Sequence, residues 1–149
     1  MKALLVILCA LFSAAPLSVA RDDCEFNDTS AYAVPVSPGP CLRVTGWVEF
    51  TGDNDFFAFS AAAGEKAWIS TRTSSSSHSN DTVLYLYGPD GAMVESDDDD
   101  GDSYNSLIAA APLDSDGTYT VQVHEYGNNA LAYYTVYFTV MGDDVREIE

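Results

Sequence analysis

From residue 41 onward, apolar and polar side chains alternate with a period close to two, in short runs broken by Gly, Pro, Asn or Asp. A period of two marks a strand with one buried face, whereas a helix needs apolar residues three and four apart. The run 41–50 puts Leu42, Val44, Gly46 and Val48 on one face, and 56–59 holds three phenylalanines in four residues. In 67–73, Trp68 and Ile69 face opposite ways. Residues 81–87 alternate most clearly, Leu84 and Leu86 against Val83, Tyr85 and Tyr87. Pro89-Asp90-Gly91 then turns the chain back into 92–95 as a hairpin partner. Further strands are predicted at 106–111, at 118–126 with Tyr119, Val121 and Val123 inward, and at 133–140 with Tyr134, Val136, Phe138 and Val140 inward. A short edge strand at 32–36 ends in prolines 35, 38 and 40, which cannot donate ladder hydrogen bonds. About eight closely spaced strands without a helix make an all-β fold, an antiparallel β-sandwich or jelly-roll.

The first twenty residues do not belong to that pattern. Lys2, an apolar run over 3–12 and the small residues Ser18-Val19-Ala20 read as a secretory signal peptide. The run is shorter than the ~20 residues a spanning helix needs. The chain therefore divides into a signal peptide (1–20), one β-sandwich domain (21–141) and a charged, frayed tail (142–149). Removing the signal leaves 129 residues, enough for one core, with a net charge near −18 against −17 for the whole chain. Nucleic acid and anionic membranes need cationic contacts, so neither is expected as a partner. Cys24 and Cys41 remain in an oxidising compartment and have only each other to pair with. Closing that loop would add roughly 3 kcal/mol by chain entropy.

Acidic residues suggest the first chemistry. Asp53 and Asp55 stand directly before the phenylalanine run, and a second cluster lies upstream, D-D-C-E-F-N-D at 22–28. Carboxylates at the rim of a core repel one another, and an oxygen-ligated hard cation relieves this. A calcium ion shared by the two segments would pin the N-terminus to the sandwich; turn and cap formation is the plainer use of the same residues. The acidic run 97–102 is no EF-hand, because the frame set by Gly101 puts Leu107 where the bidentate Glu belongs. His78 lies in a serine-rich loop and His124 on the outward face of a strand, neither in a nucleophile-elbow or zinc-protease motif. The chain reads as non-enzymatic, a small hydrolase using His78 or His124 being the alternative. Tyr85, Tyr87, Tyr133 and Tyr137 take outward positions on late strands. They stabilise the sheet as cross-strand neighbours or, if contiguous, form a flat polymer-binding face.

Six motifs then carry a resemblance: E-F-N-D-T at Glu25, D-N-D-F-F-A-F at Asp53, D-T-V-L-Y-L-Y-G-P-D-G at Asp81, S-D-D-D-D at Ser96, N-S-L-I at Asn105 and D-G-T-Y-T-V-Q-V at Asp116. In order and spacing they resemble the bacterial pre-peptidase C-terminal domain, a β-sandwich usually appended to secreted proteases, and cover nearly all of the chain after the signal. Related collagen-binding domains of clostridial collagenases hold calcium between an acidic N-terminal segment and acids before the aromatic strand. The resemblance implies Glu25, Asn27, Asp28, Asp53 and Asp55 as calcium ligands, with Asp23 a sixth, and a tyrosine-rich sheet face as the ligand surface. The chain departs from the pattern at Phe26, where proline is usual, in its flanking cysteine pair, and in having no peptidase domain before the module. The expected protein is a secreted, monomeric, calcium-stabilised binding module. Its partner would be an extracellular protein or polymer, or a separately encoded secreted protease; a purely structural envelope protein is a further alternative.

Overall fold

Alternation of burial along most of the long strands gives them one face each for a partner sheet, and two layers result. The computed structural model describes residues 21–22, 26–39, 42–74 and 80–142. The signal peptide, Asp23, Cys24, Glu25, Cys41, His78 and the tail from 143 lie outside the described residues. Among the described residues ten strands form: β1 (Arg21–Asp22), β2 (Val34–Pro35), β3 (Leu42–Val48), β4 (Asp55–Ala61), β5 (Glu65–Thr73), β6 (Thr82–Tyr87), β7 (Met93–Asp97), β8 (Leu107–Leu113), β9 (Gly117–Glu125) and β10 (Leu131–Met141). One sheet runs β1-β3-β10-β5-β8 and the other β2-β4-β9-β6-β7.

All long-strand pairs are antiparallel; the two-residue strands β1 and β2 pair in parallel with β3 and β4. Of the two, β1 has no counterpart among the predicted strands. The edge strand predicted at 32–36 shrinks to Val34–Pro35, because Tyr32 belongs to a single 3-10 turn, Ser30–Tyr32. Conversely β8 runs through Pro112 to Leu113. It is an edge strand, where a missing N–H is tolerated, and a bulge between Ala67 and Ile69 of β5 faces it, with Ala110 left-handed at φ 60°.

The inner faces meet in one core in which Phe57 packs edge-on against Phe138 at 5.7 Å and Phe59 stacks on Tyr119 at 5.8 Å. At one end a buried hydroxyl cluster joins the sheets. Thr71 Oγ1 accepts the Ser106 N–H and bonds the Thr82 hydroxyl, while the Ser106 hydroxyl donates to the Thr82 carbonyl. Thr71 is on β5 of one sheet and Thr82 on β6 of the other, so this cluster fixes where the loop 97–106 leaves the core. Phe57 is completely buried, and Phe57→Ala is expected to cost about 3–5 kcal/mol in urea unfolding. Phe56→Ala, one residue away on the outer face, is expected to cost about 1 kcal/mol or less.

Candidate metal centre and ligand-binding surface

On β4 the residues at inward parity are Asp55, Phe57 and Phe59, all buried. The N-terminal segment crosses directly over the start of this strand: the Phe56 N–H donates to the Asn27 carbonyl at 3.1 Å, and Val34 and Pro35 pair with Phe57 and Ala58. Asn27 is thereby held at the start of β4, and Asp28 comes beside Asp53. Asp55 Oδ2 accepts the Tyr134 hydroxyl at 2.7 Å, and Asp53 Oδ2 accepts the Glu49 N–H at 2.6 Å. Asp53 Oδ1 has no hydrogen-bond partner, and neither do Oδ1 and Nδ2 of Asn27, a residue only 1% exposed. Burial lifts the Asp53 carboxyl above its ordinary range and the Asp28 carboxylate beside it adds to the rise, while the Glu49 N–H pulls the other way. Orphaned buried oxygens with the Asp28 carboxylate beside them suit a hard, oxygen-seeking cation such as calcium. Of the expected ligands, Asp23 and Glu25 fall outside the described residues, as does the Cys24–Cys41 pairing.

A second constellation lies on the outer face of the same sheet, at its β9-β6-β7 end. Asp97, at the end of β7, accepts the N–H groups of Leu107 (2.6 Å) and Asp100 (3.2 Å) through Oδ2. Asn105 Oδ1 accepts the Thr73 N–H, and Gly101 N–H donates to the Asn105 carbonyl. A Cβ at Gly101 would stand 2.3 Å from that oxygen, so only glycine closes the loop. The loop so held brings carboxylate oxygens of Asp81, Asp98 and Asp99 within 4.8 Å of one another. Burial, then the charges of Asp99 and Asp97, raise the Asp98 carboxyl above its ordinary value, against a smaller lowering by His124. Beside these acids the Tyr85 ring stacks on His124, 5.5 Å between centroids and 3° from parallel, and on Tyr87 at 6.2 Å. Tyr87 donates to Gln122 and Gln122 to Asn54, which locks the outer face of β6 to that of β9. Tyr85, His124, Tyr126 and residues 97–100 line an open depression of about 450 Å³. Asp81 had no assigned role in the sequence: it lies seventeen residues before Asp98, and strand pairing alone unites them.

The four expected ligand tyrosines do not share a face. Tyr85 and Tyr87 are on β6 and Tyr133 and Tyr137 on β10, strands of different sheets. Parity makes all four outward, but outward from opposite sides of the sandwich. His124, the described one of the two expected histidines, has its Nδ1 on the Glu125 carbonyl at 2.8 Å and serves as a stacking partner.

The family model of the bacterial pre-peptidase C-terminal domain matches residues 53–125, from the buried aspartate through β9. This chain carries a pre-peptidase C-terminal domain. No curated protein sequence matches at a significant level. Among solved structures, the periplasmic inhibitor of g-type lysozyme from Aeromonas hydrophila is similar, with a TM-score of 0.52 at 11% identity, covering 72% of this chain and 97% of that one. The pre-peptidase C-terminal domain of a Bacillus anthracis collagenase has a TM-score of 0.50 at 16% identity, covering 72% and 92%. At such identities both show the shared fold. The acidic loop of the domain also makes a pH prediction. A carboxyl whose pKa is raised on folding favours the folded state while protonated and loses that advantage as pH rises through the folded pKa. With EDTA present, Asp98→Asn is expected to raise Tm at pH 7, and the gain to vanish as pH falls below the ordinary aspartate value; melts across pH 3–8 check both ends.

Proposed function

We propose that this protein is a non-enzymatic, extracytoplasmic binding module. It docks a cationic protein surface into the depression between β7, β6 and β9, and a calcium ion fastens its N-terminal segment. The observation that carries the reading is the depression itself, with stacked Tyr85 and His124 as one wall and the carboxylates of Asp97–Asp100 as the other. A lysine or arginine entering it meets negative charge at its tip and aromatic faces along its stem, an arrangement worth about 0.5–2 kcal/mol per cation–π contact. The net charge of −17 steers basic partners towards the protein and repels acidic ones. One fold neighbour being a periplasmic inhibitor of a lysozyme, and the other a domain of a collagenase, supports a protein partner and an extracytoplasmic setting. The apolar segment 3–12 after Lys2 supports the same setting. Calcium would be held by Asn27, Asp28, Asp53 and Asp55, with Asp23 and Glu25 completing the shell. Bound there, it would supply charge neutralisation at the start of β4.

Two experiments test the two halves. A basic g-type lysozyme serves as probe in a biosensor assay. Binding should weaken with salt and fall at least tenfold in the Asp98→Asn/Asp99→Asn double variant and in Tyr126→Ala; binding unaltered in both variants, or none at all, sinks the docking reading. For the ion, thermal melts compare EDTA with millimolar calcium. At ten times Kd, linkage stabilises by about 1.4 kcal/mol, a shift of about 5 °C for a domain this size, and Asp53→Asn should abolish it. A wild-type melting temperature indifferent to calcium removes the ion from the proposal.

A further inference from the structure

The outer face of the β1-β3-β10-β5-β8 sheet is unlike the rest of this acidic protein. Register aligns its outward side chains in rows: Trp47 with Tyr133; Thr45, Thr135 and Arg72; Arg43, Tyr137 and Ser70; Thr139 with Trp68; Met141 with Lys66. Arg43, Lys66 and Arg72 are the lysines and arginines whose side chains are described, and all three stand on this face. No carboxylate takes an outward position on β3, β5, β8 or β10, and on the edge strand β1 Asp22 pairs with Thr45; Glu65 has inward parity at the sheet end and accepts the Ala62 N–H. Trp47 (39% exposed) and Tyr133 (47%) lie side by side. Tyr137 follows on the same strand at about 13 Å, four residues at ~3.3 Å each, with Trp68 diagonal to it.

We propose that this face binds an acidic polysaccharide, a linear glycan bearing uronate carboxylates. A flat sheet with aromatic side chains at intervals offers stacking platforms to successive sugar rings, since Trp and Tyr combine apolar area with a polar edge. Arg43 and Arg72 flank that line with planar forks suited to carboxylates, and Thr45, Ser70 and Thr135 supply hydroxyls between them. The protein's large negative charge does not forbid a polyanion here. Packed sheets lie ~10 Å apart, so charges on the opposite outer face are beyond the Debye length of ~8 Å at physiological salt. This face and the acidic depression are on opposite sides of the sandwich, so the inference stands apart from the protein-docking reading.

The test is affinity electrophoresis and calorimetry of the full chain with polygalacturonate, and with amylose as the neutral glycan. EDTA is present so that calcium cannot bridge the acidic loops to the polymer. Polygalacturonate is expected to retard the wild type, less so as salt rises. Trp47→Ala/Tyr133→Ala should weaken binding at least tenfold, and Arg43→Gln/Arg72→Gln, which leaves the aromatic line intact, at least fivefold, with circular dichroism unchanged. No retardation overturns the proposal. So does equal binding of amylose, undiminished binding by the arginine variant, or a dimer that Tyr133→Ala dissociates in the absence of glycan binding.

Discussion

The pleat of β4 cannot bury Phe57 and Phe59 without burying Asp55, because residues two apart share a face. Asp53, two residues earlier, follows the same parity into the rim. Unpaired, a buried charge costs several kcal/mol, a large share of the ~5–15 kcal/mol by which a domain of this size is stable. The structure answers with a donor apiece: the Tyr134 hydroxyl for Asp55 and the Glu49 N–H for Asp53. It also draws the N-terminal segment over the start of the strand, where the Asn27 carbonyl accepts the Phe56 N–H while its buried side-chain amide and Asp53 Oδ1 each lack a hydrogen-bond partner. Phenylalanines that make the core thus decide where its charge is buried, and the buried charge decides where the N-terminus must go.

The same period of two explains what was legible from the residues and what was not. Inward faces of β3, β6, β9 and β10 follow from alternation, down to Gly46 and Val140, because in a two-layer fold burial and parity are one fact. The closeness of Asn27 and Asp28 to the 53–56 stretch was also within reach, since both segments stand out as acidic clusters. Sheet membership was not. Tyr85 and Tyr133 both read as outward by parity, but β6 pairs with β9 and β10 with β5, and only those long-range pairings separate them onto opposite faces. Asp81 was invisible for the same reason: it meets Asp98 through the β6–β7 hairpin and the loop beyond it, not through any spacing in the chain.

That separation gives the molecule two unlike faces. Carboxylates collect in loops, where aspartate suits turns, and the loop 97–102 delivers four of them to the edge of β6 and β7. Outward positions of β3, β5 and β10 lie within strands, from which aspartate is depleted, and there arginine, lysine, threonine and aromatic residues remain. Charge therefore divides by element type, loops against strands, before any ligand is considered. What strand propensity alone does not require is the placing of three cations in register beside an aromatic line on one sheet, while the outward positions of β4, β6 and β9 carry none. Because the two faces are beyond each other's screened reach, a cationic partner on one and an anionic polymer on the other can be held at once. If both proposed partners bind, the domain fixes a basic protein on an acidic matrix.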